Sequence, residues 1–371
     1  MTNENNDSLC NHIRSACLRL PCPDLDASLT FFSERLGFAV EQIHPADAPN
    51  VAVLSGYGMR LRLHAEPAAV PAQNRICIAL SCDRAALVGL PNQLTSPCGV
   101  RVELCDAEPE LHLPPAEPAF IVTHHQANQG WHRGRAGMHY RDLIPGRLGG
   151  RFIASHIRIP DGGNVPDYVH YHRVRLQMIL CKAGWVRVVY EDQGEPFVLR
   201  AGDCVLQPPQ IRHRVLEASP GLEVIELGCP AVHETLADHA LSLPNERHAP
   251  QRVFSGQRFV RHIAAAAPHT QWRAAGFAAR DTGIAAATDG LASAKVIRLT
   301  DTMPARTVQA TLRHDGELLF LYVLRGSLGL QSPQHGSHTL GQDDSCVIPA
   351  GSAFALHAGD GLELLEVCLP G

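Results

Sequence analysis

Charge is scarce in this chain and evenly mixed. Asp, Glu, Lys and Arg make up 19% of its 371 residues, and the net charge is −5. No basic excess marks a nucleic-acid surface, and no run of like charge marks a solvated tail. No apolar run is long enough to span a bilayer. Met1 to Asp7 is polar and acidic, without the basic-then-apolar order of a signal peptide. A soluble cytoplasmic protein is the expectation, with neither nucleic acid nor membrane as partner. The 12 cysteines include no Cys-x-x-Cys pair, so neither a zinc cage nor a disulfide framework is implied. Most read as small apolar core residues. No Gly-rich loop follows a strand and opens a helix, and Gly-x-Ser-x-Gly is missing. The phosphate-loop and serine-hydrolase signatures are therefore absent.

What is present points to strands. Aromatics are only 5%, while 31 Gly and 27 Pro punctuate the chain, a composition that suits many short strands joined by turns. The length implies two or three domains. The chemistry gathers in one stretch, Asp167 to Glu217. Side chains on a strand alternate with period two, so His170 and His172 point the same way, with Tyr168 on their side. Arg175 and Gln177 share a side of the next run, which ends at Gly184. His213 returns on a later strand. Three imidazoles and one amide oxygen would converge inside a small barrel. Imidazole suits Fe, Mn, Ni, Cu and Zn alike, so the set implies one divalent transition metal. Parity also turns Tyr168, Arg175 and Arg158 inward. Tyr168 and Arg175 are the candidate catalytic groups, and Arg158 and Arg175 the candidate clamps for a substrate carboxylate.

The stretch resembles the two motifs of the cupin superfamily: His-x-His, an acidic residue and Gly, then Gly-Asp, Pro and His. Here the residues are His170, His172, Gln177 and Gly184, then Gly202-Asp203, Pro208 and His213. The resemblance implies an antiparallel jelly-roll barrel with His170, His172, Gln177 and His213 as metal ligands. Gln177 departs from the family's usual Glu. A glutamine oxygen can still ligate but adds no charge. The ion would keep its full +2, which favours anionic substrates or a strongly Lewis-acidic role.

An internal repeat extends this reading. Gly221-Leu-Glu-Val-Ile-Glu-Leu-Gly-Cys-Pro230 parallels Gly361-Leu-Glu-Leu-Leu-Glu-Val-Cys-Leu-Pro370, and Arg141-Asp142 parallels Arg280-Asp281. Two tandem cupin-like barrels follow, over 126–245 and 246–371. The ligand places of the second fall on Leu312, His314, Leu319 and Phe354, so it should be metal-free, with the apolar residues filling its interior.

Before the barrels, 1–125 shows a β-α-β-β-β order. A strand at Cys17–Leu20 precedes a helix over Leu25–Leu36, capped by Asp24 and stopped by Gly37. Strands over Phe38–Gln42, Ala48–Leu54 and Met59–Leu63 follow. A compressed second copy has strands at Arg75–Leu80, Val100–Leu104, Leu111–Leu113 and Phe120–Val122 and a short helix at Asp83–Leu90. With Asp24-x-x-x-Ser28-x-x-Phe31-Phe32 and Leu36-Gly37-Phe38, this resembles the glyoxalase/vicinal-oxygen-chelate fold. The family's ligand places fall near Cys17 and Arg62, which form no ligand set, so the domain reads as a non-catalytic scaffold. Gln126 to Gly137 reads as a linker.

The fold expected is mainly β: two cupin barrels preceded by an α+β vicinal-oxygen-chelate-like domain. The function implied is a metal-dependent bicupin enzyme, first a dioxygenase with Fe as the leading metal, acting on a small anionic molecule. The alternatives are a Lewis-acid isomerase or lyase at the same metal and a non-catalytic binding barrel. A monomer or homodimer is expected.

Overall fold

In a computed structural model the chain is described at residues 13–35, 37–56, 58–66, 77–89, 91–95, 101–125, 130–300 and 309–370. It divides into two compact units. One comprises Met1–His112 with Glu234–His239, the other Leu113–His233 with Ala240–Gly371.

In the first unit, strand Ile13–Cys22 leads into helix Leu25–Thr30, and strands Ala39–His44, Val51–Gly56 and Met59–Ala65 follow. The last of these returns parallel to the first, and the others add antiparallel at its far edge. Asp24 caps the helix as the sequence implies, its Oδ1 accepting from the Ala27 N–H at 2.9 Å. The helix is shorter than expected. From Phe31 to Arg35 it widens into a π-turn, with Phe32 edge-on to both Phe31 and Phe38. Strand Cys77–Cys82 pairs antiparallel with Ile13–Cys22 and parallel with Arg101–Asp106; with helix Arg84–Leu87 and strand Gln93–Thr95 this gives a β-α-β-β order, short of the full second copy expected. Its expected start at Arg75 and Ile76 lies outside the described residues, as does Val100. Leu111–Leu113, expected as a strand, is irregular.

The second unit holds two barrels of matching plan. The first has a seven-stranded sheet in the order Val260–His262, Cys204–Leu206, Leu176–Ala183, Leu222–Cys229, Ile153–Ile159, His139–Asp142, Trp131–Arg133. Strands Phe197–Arg200, Trp185–Tyr190, His213–Ala218 and His170–His172 face it. In the second barrel, the sheet from Thr270–Gln271 through Phe277–Asp281, Ser293–Leu299, Glu363–Leu369, Leu318–Arg325 and Ser345–Ile348 ends on Ile121–Thr123. Four strands between Gln309 and Ala358 form its other sheet.

The expected boundaries at 125 and 245 are both crossed by this pairing. Ile121–Thr123 precedes the first barrel yet pairs with Ser345–Val347 of the second. Val260–His262 precedes the second yet pairs with Cys204–Leu206 of the first. Each barrel's leading segment thus covers the other's open sheet edge, whose unpaired N–H and C=O groups would otherwise face water.

Strand Leu176–Ala183 is buried on both faces. Leu176, Met178 and Leu180 enter a core shared with Leu318, Phe320 and Tyr322 of the second barrel. Ile179 and Cys181 pack with the first barrel's interior cluster. Gln177 lies on this inner face and is also buried. In the second barrel Leu319 and Phe354 belong to the interior cluster and Leu312 packs against it. Among the described residues no helix is long and apolar enough to cross a membrane.

Candidate metal centre

His170 and His172 sit on one short strand, and the strand beginning at His213 pairs with it, so that His170 and His213 are directly opposed. Adjacent-strand pairing brings the rings together. The His170 ring centre lies 4.3 Å from that of His213 and 5.2 Å from that of His172, and His172 lies 5.3 Å from His213. One ring nitrogen from each falls within 4.8 Å of the others. All three side chains are buried.

The backbone sets two of the tautomers. A carbonyl oxygen only accepts, so His170 donates its Nδ1–H to the Tyr168 carbonyl at 2.8 Å, and His213 donates its own to the Ile211 carbonyl at 3.0 Å. Nε2 of each then carries a lone pair. Burial, more than any other cause, pushes the pKa of all three rings down. His170 and His172 fall well below the ordinary histidine range, with Arg135 the next cause at His170 and His170 at His172, and His213 falls to about 4. The imidazoles are neutral at pH 7, as metal binding requires.

The stretch expected to be a linker contributes to this site. Strand Trp131–Arg133 and a turn over Arg135–Gly137 bring the buried Arg135 guanidinium against the histidines. Its Nη1 is paired with Asp167 at 2.5 Å and its Nη2 donates to His170 Nε2 at 3.0 Å. Asp167, fully buried, also accepts the Val215 N–H at 2.9 Å. No motif spacing reveals Arg135. The one available signal was the density of His and Arg between His124 and Arg135, an unusual content for a linker.

Two glutamines flank the centre. Gln207 and Gln177 are opposed across adjacent strands, the Gln207 N–H bonding the Gln177 carbonyl. Gln177 turns its amide nitrogen to Glu226 Oε1 at 3.0 Å. Gln207, which no motif marks, touches the triad: its Nε2 lies 2.8 Å from His213 Nε2, and its Oε1 is buried without a partner. A fourth imidazole, His233, lies edge-on to His172 at 5.3 Å and is anchored by its Nδ1–H to the Pro230 carbonyl.

The other expected site residues separate. The Tyr168 ring stays close, 5.9 Å from that of His170 and 5.8 Å from the Arg135 carbon, and burial raises its pKa. Arg175 does not act as an open clamp: its Nη1 is bound to Glu317 of the second barrel at 2.6 Å. It lies in a bend just before the strand that starts at Leu176, so period-two parity does not extend to it. Arg158 also departs from expectation. Its neighbour Ile157 packs inside the first barrel, whereas Ala154, of the same parity as Arg158, joins the inter-barrel core. The Arg158 guanidinium lies 4.1 Å over the Trp131 ring.

The donor set suits a divalent transition ion. It offers neutral imidazoles oriented by backbone acceptors, the usual outer support of ligating histidines, and an orphaned buried amide oxygen at Gln207 that a cation would satisfy. Two Nε2 lone pairs now engage Arg135 and Gln207, so loading requires those donors to give way.

Among solved structures, salicylate 1,2-dioxygenase from Pseudaminobacter salicylatoxidans is similar with a TM-score of 0.50 and 16% identity, over 70% of this chain and 86% of that one. Ylba from E. coli has a TM-score of 0.46 and 13% identity over 70% and 94%, and oxalate decarboxylase from Bacillus subtilis 0.45 and 12% over 64% and 73%. No protein-family model and no curated protein matches the chain. At this identity the likeness to the dioxygenase concerns fold alone, and that fold is a tandem pair of cupin barrels.

Proposed function

We propose that the protein is a metal-dependent bicupin enzyme that binds one divalent transition ion, Fe(II) first, at His170, His172 and His213 and uses dioxygen to oxidise a small anionic organic substrate. The observation that carries this reading is the cluster of three buried, neutral imidazoles, two with their Nε2 lone pairs set by backbone carbonyls. Gln177 and Gln207 are the candidate amide ligands. The ion would supply open coordination positions at which substrate and dioxygen meet.

The chain's residues define what such a site would accept. Three imidazoles and an amide leave the ion's charge uncancelled. That favours an anion such as a carboxylate; the Arg135 charge beside His170 is already matched by the buried Asp167 carboxylate. Tyr168 is the proposed proton-handling group: burial holds its phenol neutral, so it serves as a donor rather than a base. The β-α-β-β-β unit is proposed as a vicinal-oxygen-chelate-like scaffold without metal chemistry. A monomer or homodimer is proposed for the whole chain.

The test is elemental analysis of purified protein with His170→Ala and His213→Ala, followed by oxygen-electrode assays on the Fe-loaded protein with salicylate, gentisate and oxalate. About one ion per chain, lost in both variants, and uptake of one O2 per substrate consumed are expected. One ion without oxygen uptake, but with turnover, would replace the oxygenase reading by Lewis-acid isomerase or lyase chemistry. Protein that cannot be loaded would leave a metal-free binding barrel.

A further inference from the structure

The internal repeat makes the two ends of the barrel–barrel junction equivalent in backbone and unequal in side chains. Arg141 and Arg280 occupy matching strand positions: Arg141 pairs with His156, which pairs with Ile225, and Arg280 pairs with Val296, which pairs with Leu365. Asp343 and Gly202 match in the same way. The Asp343 N–H bonds the Val323 carbonyl and the Gly202 N–H the Cys181 carbonyl, each with positive φ, 71° and 91°. Each arginine then points Nη2 at the carbonyl oxygen of the other barrel's turn, Arg141 at Asp343 and Arg280 at Gly202.

At the Arg141 end the space is filled with complementary charge. Arg141 meets the Asp343 carbonyl at 2.8 Å and His156 Nδ1 at 3.2 Å, beneath the Trp131 ring at 5.9 Å. The Asp343 carboxylate is held by Lys182 at 2.8 Å and by the Tyr322 hydroxyl at 2.9 Å. At the Arg280 end the matching positions carry none of those groups, although Lys182 itself also borders the space there. Val296 stands for His156, Leu180 for Tyr322, Leu324 for Lys182, and Gly202 for Asp343.

What remains there is a cleft of about 350 Å³ whose wall includes Leu180, Lys182, Gly202, Arg280 and Arg325, with the carboxylate residue Glu363 also bordering it. Arg280 is only 7% exposed. Its one hydrogen bond is long, 3.5 Å, and its buried Nε has no acceptor. Arg141 also keeps N–H groups without acceptors, so an orphaned guanidinium alone is not the signal. The signal is an orphaned, buried guanidinium that opens onto a cleft where the sister end carries a carboxylate. Burying an arginine this far without an acceptor is costly, and a bound oxyanion removes that cost.

We propose that the Arg280–Arg325 cleft is a second ligand site, distinct from the histidine centre, which binds a small oxyanion of carboxylate or phosphate type in the space that Asp343 fills at the opposite end. None of the three histidines lines this cleft.

The test is thermal unfolding of the full chain against sodium acetate and sodium phosphate, with NaCl holding ionic strength constant. A ligand that binds only the folded state raises the midpoint saturably. A saturable rise with at least one of the two anions is expected, and which anion acts separates carboxylate from phosphate. The same rise is expected in His170→Ala, lost in Arg280→Gln, and shifted to at least tenfold higher anion concentration in Arg325→Gln. Should Arg280→Gln fail to fold, the exposed Arg325 decides. No saturable rise with either anion would overturn the proposal, as would unchanged affinity in Arg325→Gln. A rise that disappears in His170→Ala would assign the anion to the metal centre and overturn it equally. This inference stands apart from the proposed reaction, because loss of metal leaves it intact.

Discussion

Replacing Arg135 by Leu tests whether the buried ion pair beneath the histidines is a structural necessity. The Asp167 side chain is fully buried and that of Arg135 is 10% exposed. Removing the guanidinium leaves a carboxylate with the Val215 N–H at 2.9 Å as its remaining strong donor. Stripping one partner from a buried pair costs about 3–5 kcal/mol. The double variant Arg135→Leu/Asp167→Asn replaces the stranded charge with a neutral amide, for which an incompletely satisfied buried group costs about 1–3 kcal/mol. The double variant should therefore be about 2 kcal/mol more stable than the single. The assay is urea unfolding followed by tryptophan fluorescence. All three tryptophans, Trp131, Trp185 and Trp272, lie in the barrel unit, so the signal reports on the barrels. A single-variant loss below about 1 kcal/mol, or a double variant no more stable than the single, would refute the reasoning.

Gln207→Leu should weaken loading of the histidine centre by at least tenfold in a metal titration, since it deletes the amide whose Nε2 lies on His213 and whose buried, unpartnered oxygen a cation would satisfy; unchanged affinity would make Gln207 a spectator. Leu319→Ala should destabilise the barrels by about 2–5 kcal/mol, because Leu319 fills the interior that the first barrel gives to Gln177, and a loss under about 1 kcal/mol would mean that interior is loosely packed. Stability should fall in acid as Glu223 protonates. Its hydrogen bond from His156, then Lys182, holds its carboxyl down to about 2. The contribution is present above the ordinary carboxylate range and is lost as pH falls from about 4.5 toward 2; with the side chain 30% exposed it amounts to about 2 kcal/mol or less. Glu223→Gln should flatten that part of the pH–stability curve, and an unchanged curve would refute the assignment.

Much of the architecture was legible in the sequence because its causes are local or periodic. Alternation along His170–His172 and the return of His213 follow from strand geometry, and the structure brings those three rings within 5.3 Å of one another. The repeat at Gly221–Pro230 and Gly361–Pro370 marks the same strand in each barrel, and the greasy places Leu319 and Phe354 fill the second interior. Tertiary structure decided what local pattern does not encode. The sheet edges are covered by exchanged segments, so the domain boundaries could not be read from where the repeats begin. Arg175 sits in a bend ahead of its strand, and Glu317, 142 positions away, claims it. Arg135 reaches His170 from a stretch with no periodicity, because a short strand and a turn carry it to the histidines. The contrast between Asp343 and Gly202 has meaning only once the two ends of one junction are folded against each other, since the environment of each arginine is supplied by the opposite barrel.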